Sequence, residues 1–144
     1  MKKHLSRILA AALALCFCFA LSGCDILVPI TGEYRILSIN DIGPKRFFAE
    51  DSAEGAAFIE MLGFSDDEFE YTGPENEIIT ITLEKDGTGY VTKLGYLTYA
   101  VWSEADDIVT VNCESGEVLV LEHFPGSSAM SCQIEGYTVL FSRL

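Results

Sequence analysis

The sequence predicts an all-β domain with one short helix, built as eight antiparallel strands in up-and-down order and closed into a small barrel. Three observations carry this. Short segments rich in β-branched and aromatic residues recur at close, even spacing from Glu33 to the C-terminus. Several of them alternate apolar and polar residues, the period of a strand with one buried face. Tight-turn signals divide them, which makes consecutive segments antiparallel neighbours. Closure then removes both exposed edges; an open sandwich is the alternative.

Each element has its own warrant. Glu33 to Asn40 is the first strand. Glu77 to Leu83 places Ile79, Ile81 and Leu83 on one face and Ile78, Thr80 and Thr82 on the other. Asp86-Gly87-Thr88-Gly89 is a hairpin signal, and Tyr90 to Leu94 follows it. Gly95 leads into Tyr96 to Ser103, and Asp106-Asp107 into Ile108 to Cys113. Ser115-Gly116, Pro125-Gly126 and Glu135-Gly136 introduce Val118 to His123, Ala129 to Ile134 and Tyr137 to Arg143. The insertion between the first two strands, residues 44–76, breaks the pattern. Ser52 is placed to cap a helix running to about Leu62, with Ala56, Ile59 and Leu62 on one face and Gly63 as its stop. From Glu50 to Glu77 there are ten carboxylates and no basic residue.

The N-terminus reads as an export signal. Lys2, Lys3 and Arg7 precede an unbroken apolar run from Ile8 to Ala20, which is too short to span a bilayer comfortably. Leu21-Ser22-Gly23-Cys24 then resembles the lipobox of bacterial lipoproteins. That resemblance implies a signal peptide over 1–23, a lipid such as palmitate carried on Cys24, and a short tether over 24–31. The domain over 32–144 would be held at the extracytoplasmic face of the cell membrane. A plain signal peptide or an uncleaved anchor is the other reading. Two acyl chains hold a protein stably on a membrane where one does not.

The formal charge is −13, with 22 acidic and nine basic residues. Loss of the leader leaves six basic residues against 22 acidic ones, a charge of −16. That balance excludes nucleic acid as a partner and disfavours lying on anionic lipid. Beyond the leader and Cys24, the cysteines are Cys113 and Cys132, in a compartment that permits disulfides. Both fall on the apolar parity of their strands. They are read either as a bridge or as two buried thiols.

The whole arrangement resembles the lipocalin-like domains of small bacterial lipoproteins. Gly32-Glu33-Tyr34 is similar to the Gly-x-Trp that opens the lipocalin barrel. Ile81 to Gly89, followed by Val101-Trp102-Ser103, is similar to the strand, hairpin and Trp-Ser strand of these domains, and Phe141-Ser142-Arg143 to their last strand. The resemblance implies a fold and names no ligand. In a closed barrel the first and last strands pair, which sets Tyr34 beside Arg143. A guanidinium over that ring would be worth about 0.5–1 kcal/mol if exposed.

Chemistry is sparse. His123, the one histidine past the leader, has no obvious serine or cysteine nucleophile near it in sequence, so no catalytic residue and no cofactor are expected. Cys113, His123, Met130 and Cys132 lack close metal-ligand spacing, and Asp66-Asp67-Glu68 with Glu70 lacks the Gly-centred calcium loop, so no metal is expected either. Tyr90, Tyr96, Trp102, Tyr137 and Phe141 are placed to line a barrel interior. The reading is a non-enzymatic, membrane-anchored binding or scaffold domain. The alternatives are a carrier of a small apolar ligand inside the barrel, and a module that binds or inhibits an envelope protein through the acidic insertion.

Overall fold

A computed structural model describes residues 29–63 and 71–144. The leader, Leu21 to Cys24, and the acidic run Asp66 to Glu70 lie outside these residues. The described chain closes into one eight-stranded antiparallel barrel in sequence order. Its strands are β1 (Gly32–Ile39), β2 (Ile79–Leu83), β3 (Thr88–Lys93), β4 (Tyr96–Ala105), β5 (Ile108–Cys113), β6 (Val118–His123), β7 (Ala129–Ile134) and β8 (Tyr137–Arg143). Between β1 and β2 come helix α1 (Pro44–Phe47), helix α2 (Ala53–Met61) and a 3₁₀ turn over Glu75–Glu77. The sequence signals for Glu77 and Ile78 as strand give way to that turn, because Pro74 fixes an extended residue just before it. Among the described residues no helix is long and apolar enough to cross a membrane.

The turns explain the topology. Leu94-Gly95, Asp106-Asp107 and Glu135-Gly136 all have positive φ at both positions, the mirror-image turn whose twist matches that of paired strands. At the β2–β3 hairpin the Asp86 carboxylate accepts from the Thr88 N–H at 3.0 Å and its hydroxyl at 2.6 Å. Those bonds hold the Asp86 carboxyl below the usual range.

Closure is the β1–β8 pairing, with Tyr34 opposite Arg143 and Ile36 opposite Phe141. A bulge at Leu37 shifts the register between Ile36 and Ser38, so Ile36 and Ile39 are both buried while Leu37 is exposed. Strict alternation fails there for that reason.

The interior is filled by alternate residues of every strand. Tyr34, Ile81, Val109, Leu121, Met130, Val139 and Phe141 are all fully buried. The mouth that bears the insertion is covered by α1 and α2. Ser52 caps α2, its hydroxyl accepting from Gly55 N at 3.0 Å. The buried face of α2 is Gly55 and Phe58, with Ile59 and Leu62 half-buried and Ala56 exposed. Sequence spacing put Ala56 on the inner face; the helix is rotated because Gly55 abuts the Phe47 backbone, where a Cβ would stand 2.3 Å from the carbonyl oxygen. Phe47, Phe58 and Tyr137 meet edge to face at centroid distances of 5.1 to 6.0 Å.

Candidate functional face

The other mouth is where the tether enters. The Tyr34 hydroxyl donates to Ile30 O at 2.6 Å, and the Arg143 guanidinium donates to Pro29 O and Thr31 O. Gly32, at φ +138°, lets Arg143 pass, since a Cβ there would stand 2.7 Å from Arg143 Cδ. Burial raises the Tyr34 pKa, an effect the Arg143 charge partly offsets. Tyr34 and Arg143 therefore do sit together at the seam. Their link differs from the expected one: no cation–π contact is found among the described residues, and the guanidinium is taken up by main-chain carbonyls of the tether.

The five aromatic residues predicted to line the interior separate. Phe141 is fully buried between Ile36 and Met130. Tyr137 is half-buried under the insertion. Trp102 stands at the tether-side mouth, where its indole N–H donates to Glu84 O at 3.0 Å. Tyr96 shares the inward parity of Ala100 but lies at the strand end and is 55% exposed. Tyr90 lies on the opposite parity. Gly89 and Val91 take the buried positions of β3, so Tyr90 faces outward beside Thr82 and Tyr99. An aromatic residue satisfies strand propensity on either face, so composition alone could not choose.

Cys113 and Cys132 are both buried on the inward parity, and both are free thiols. The bridge read as one alternative is absent, and β6 stands between their strands. Burial pushes the Cys132 thiol up to about 11 and raises that of Cys113 too. His123 is also buried, and its Nε2 lies 3.0 Å from Ser127 O. A carbonyl only accepts, so Nε2 carries the proton.

With the interior occupied, the unsatisfied apolar surface lies outside. On β4, Leu97, Tyr99 and Val101 point outward, with Tyr99 63% and Val101 58% exposed. On β6, Val118 and Val120 do the same, at 52% and 54%. Register sets the two rows side by side across β5, whose outward Asn112 stands between Val101 and Val118 and whose Thr110 stands beside Val120. Ile108 extends the wall at its tether-side end. Around it stand the exposed carboxylates of Asp106, Glu114 and Glu122. Two clefts, of about 560 and 720 Å³, also open outside the barrel, at the insertion and beside the tether.

Comparison with known proteins adds little. No family model and no curated protein sequence matches the chain. Among solved structures, a crystal structure of a DUF4847 family protein from Bacteroides vulgatus is similar, with a TM-score of 0.46 and 11% identity, over 80% of this chain and 94% of that one.

The outward wall was present in the sequence as Leu97, Tyr99, Val101, Val118 and Val120, the apolar residues left over once the inward parity is assigned. Reading β4 and β6 as alternating strands discounted them. A strand apolar on both parities, with no second layer over it among the described residues, is the signal that points to such a wall.

Proposed function

We propose that this chain is a lipid-anchored, extracytoplasmic, non-enzymatic docking domain that holds a partner protein against the outer wall of β4 to β6. The carrying observation is a pair of exposed apolar rows on β4 and β6, flanking the outward Thr110 and Asn112 of β5, on a barrel whose inward positions are taken by buried side chains. The acidic rim selects the occupant: a protein surface with an apolar centre and basic residues around it. It disfavours the bilayer itself, whose anionic headgroups the rim would repel. The buried apolar side chains that every strand turns inward count against a carrier. Phe47 and Phe58 of the insertion are buried against Tyr137, which supports reading the insertion as a plug and the wall as the docking face.

The lipobox supplies the anchor in this reading. From Cys24 to Pro29 the chain reaches at most about 18 Å, so the tether-side mouth would sit near the membrane and the wall would rise from it. The test places a photo-crosslinking amino acid at Tyr99, and separately at the exposed Thr138 on β8, in cells of the source bacterium. One discrete adduct is expected from position 99, from the membrane fraction, and none from 138. Val101→Glu together with Val120→Glu should abolish it, and Cys24→Ala should release the protein from the membrane. Equal adducts at both positions, or an adduct that survives the glutamates, would overturn the docking face. Unchanged membrane retention of the Cys24→Ala protein would overturn the anchor.

A further inference from the structure

At the tether-side mouth two side chains of the β4–β5 turn meet one from the end of β6. One ligand atom each from Glu104, Asp107 and His123 lies within 4.8 Å of the other two. We propose that they form a binding site for a divalent transition-metal cation of the zinc class, which clamps the β4–β5 turn to the end of β6. This goes against the sequence expectation of no metal, and it is independent of the docking wall.

The fold builds the site. Asp106 and Asp107 form the two-residue turn, at φ +51° and +64°, which stands Asp107 beside the end of β6. The main chain fixes that contact, because His123 N donates to Asp107 O at 2.8 Å. Glu104 follows Ala100 and Trp102 on the inward parity of β4, which brings it to the same rim. His123 ends the inward row Leu119, Leu121, His123 and is 7% exposed, so its ring is held by packing.

The chemistry fits. The His123 Nε2 is taken by Ser127 O, so in the neutral ring Nδ1 is the nitrogen that can ligate. A carbonyl accepting from one imidazole nitrogen, with the other nitrogen turned to the metal, is how ligating histidines are oriented. Two carboxylates within 4.8 Å of each other repel, and among the described residues neither has an ion-pair partner. A dication neutralises both. One imidazole and two carboxylates make three protein ligands with a fourth position for water, a set that suits zinc. Bond lengths near 2.1 Å would draw the ligand atoms to roughly 3.4 Å apart. The exposed Glu104 and Asp107 side chains have the freedom to make that small movement.

The test titrates untagged full-length protein in detergent with zinc chloride by calorimetry, and with cobalt chloride by absorption. One zinc equivalent should bind with a dissociation constant in the micromolar range or tighter. Glu104→Gln with Asp107→Asn, both exposed and safe for folding, should weaken it at least tenfold. Glu114→Gln with Glu135→Gln, two carboxylates at the opposite mouth, should leave it unchanged. Cobalt should give the strong visible bands of a low-coordinate site without a thiolate charge-transfer band. Absence of saturable binding would overturn the site, as would equal affinity in the Glu104/Asp107 variant, which marks adventitious binding only. A thiolate band would overturn it too, by moving the metal to Cys113 and Cys132.

Discussion

Cys132 packs among the inward residues Leu121 and Val139, and that burial is the main reason its thiol is a weak acid. Its pKa rises from the ordinary 9.0 to about 11. Below pH 9 both the folded and the unfolded chain keep the proton, so this group adds no pH dependence. Between pH 9 and 11 the unfolded chain releases the proton while the folded chain still holds it. Stability therefore falls as pH rises through that window. Tyr34, raised in the same direction, extends the fall at higher pH. Urea denaturation at steps from pH 8 to 10.5 should show a falling midpoint, and Cys132→Ala should flatten the slope. A midpoint level across that range would show that the thiol is hydrated rather than buried. At pH 8 only about one molecule in a thousand carries a Cys132 thiolate, so alkylation should need prior unfolding.

At the scale of elements, α2 stays in place through one ring. Phe58 is fully buried and touches Phe47, Phe48 and Tyr137 edge to face. Truncation leaves a hole at the insertion-side mouth with three rings on its border. Phe58→Ala should cost about 3–5 kcal/mol by chemical denaturation. Hydrogen exchange should speed up over α1 and α2 first, because these helices lie on the barrel and pair with none of its strands. Uniform exchange across the barrel would mean that the plug and the strands unfold together. The strands were legible in the sequence because their two signals are local: a period of two, and turn residues that tolerate positive φ. The short α1 was not, since Pro44 to Phe47 is a single turn whose reason for existing is Phe47, a contact partner of residues far away. The same holds for the bulge at Leu37, set by pairing with β8, and for the rotation of α2, set by Gly55 against Phe47. The Glu104, Asp107 and His123 cluster was illegible for a related reason. Glu104 and Asp107 flank one turn, but His123 reaches them only through the β5–β6 pairing.

For the whole molecule the dominant long-range force is self-repulsion. A charge of −13 is spread over the chain. The described ion pairs are few: Arg35 with Glu33 and Glu77, and Lys93 with Glu117. Screening acts on both kinds of interaction with opposite sign. It weakens these half-exposed pairs, each worth about 1 kcal/mol or less. It also weakens the repulsion among all the unpaired carboxylates, which destabilises the compact state. Repulsion wins because the unpaired acids far outnumber the pairs. Raising sodium chloride from 10 to 150 mM shortens the screening length from about 30 to about 8 Å. The melting temperature should therefore rise by several degrees over that range and then level off. A flat or falling curve would mean that the ion pairs matter more than the net charge. Zinc should behave differently from sodium at this scale. Screening by sodium is graded and needs no particular residue, whereas a stoichiometric cation at the tether-side mouth stabilises in one step at micromolar concentration, with a shift that grows as the logarithm of free metal once the site is filled. Repeating the melt with zinc at 150 mM sodium chloride, where general screening is nearly spent, isolates that step.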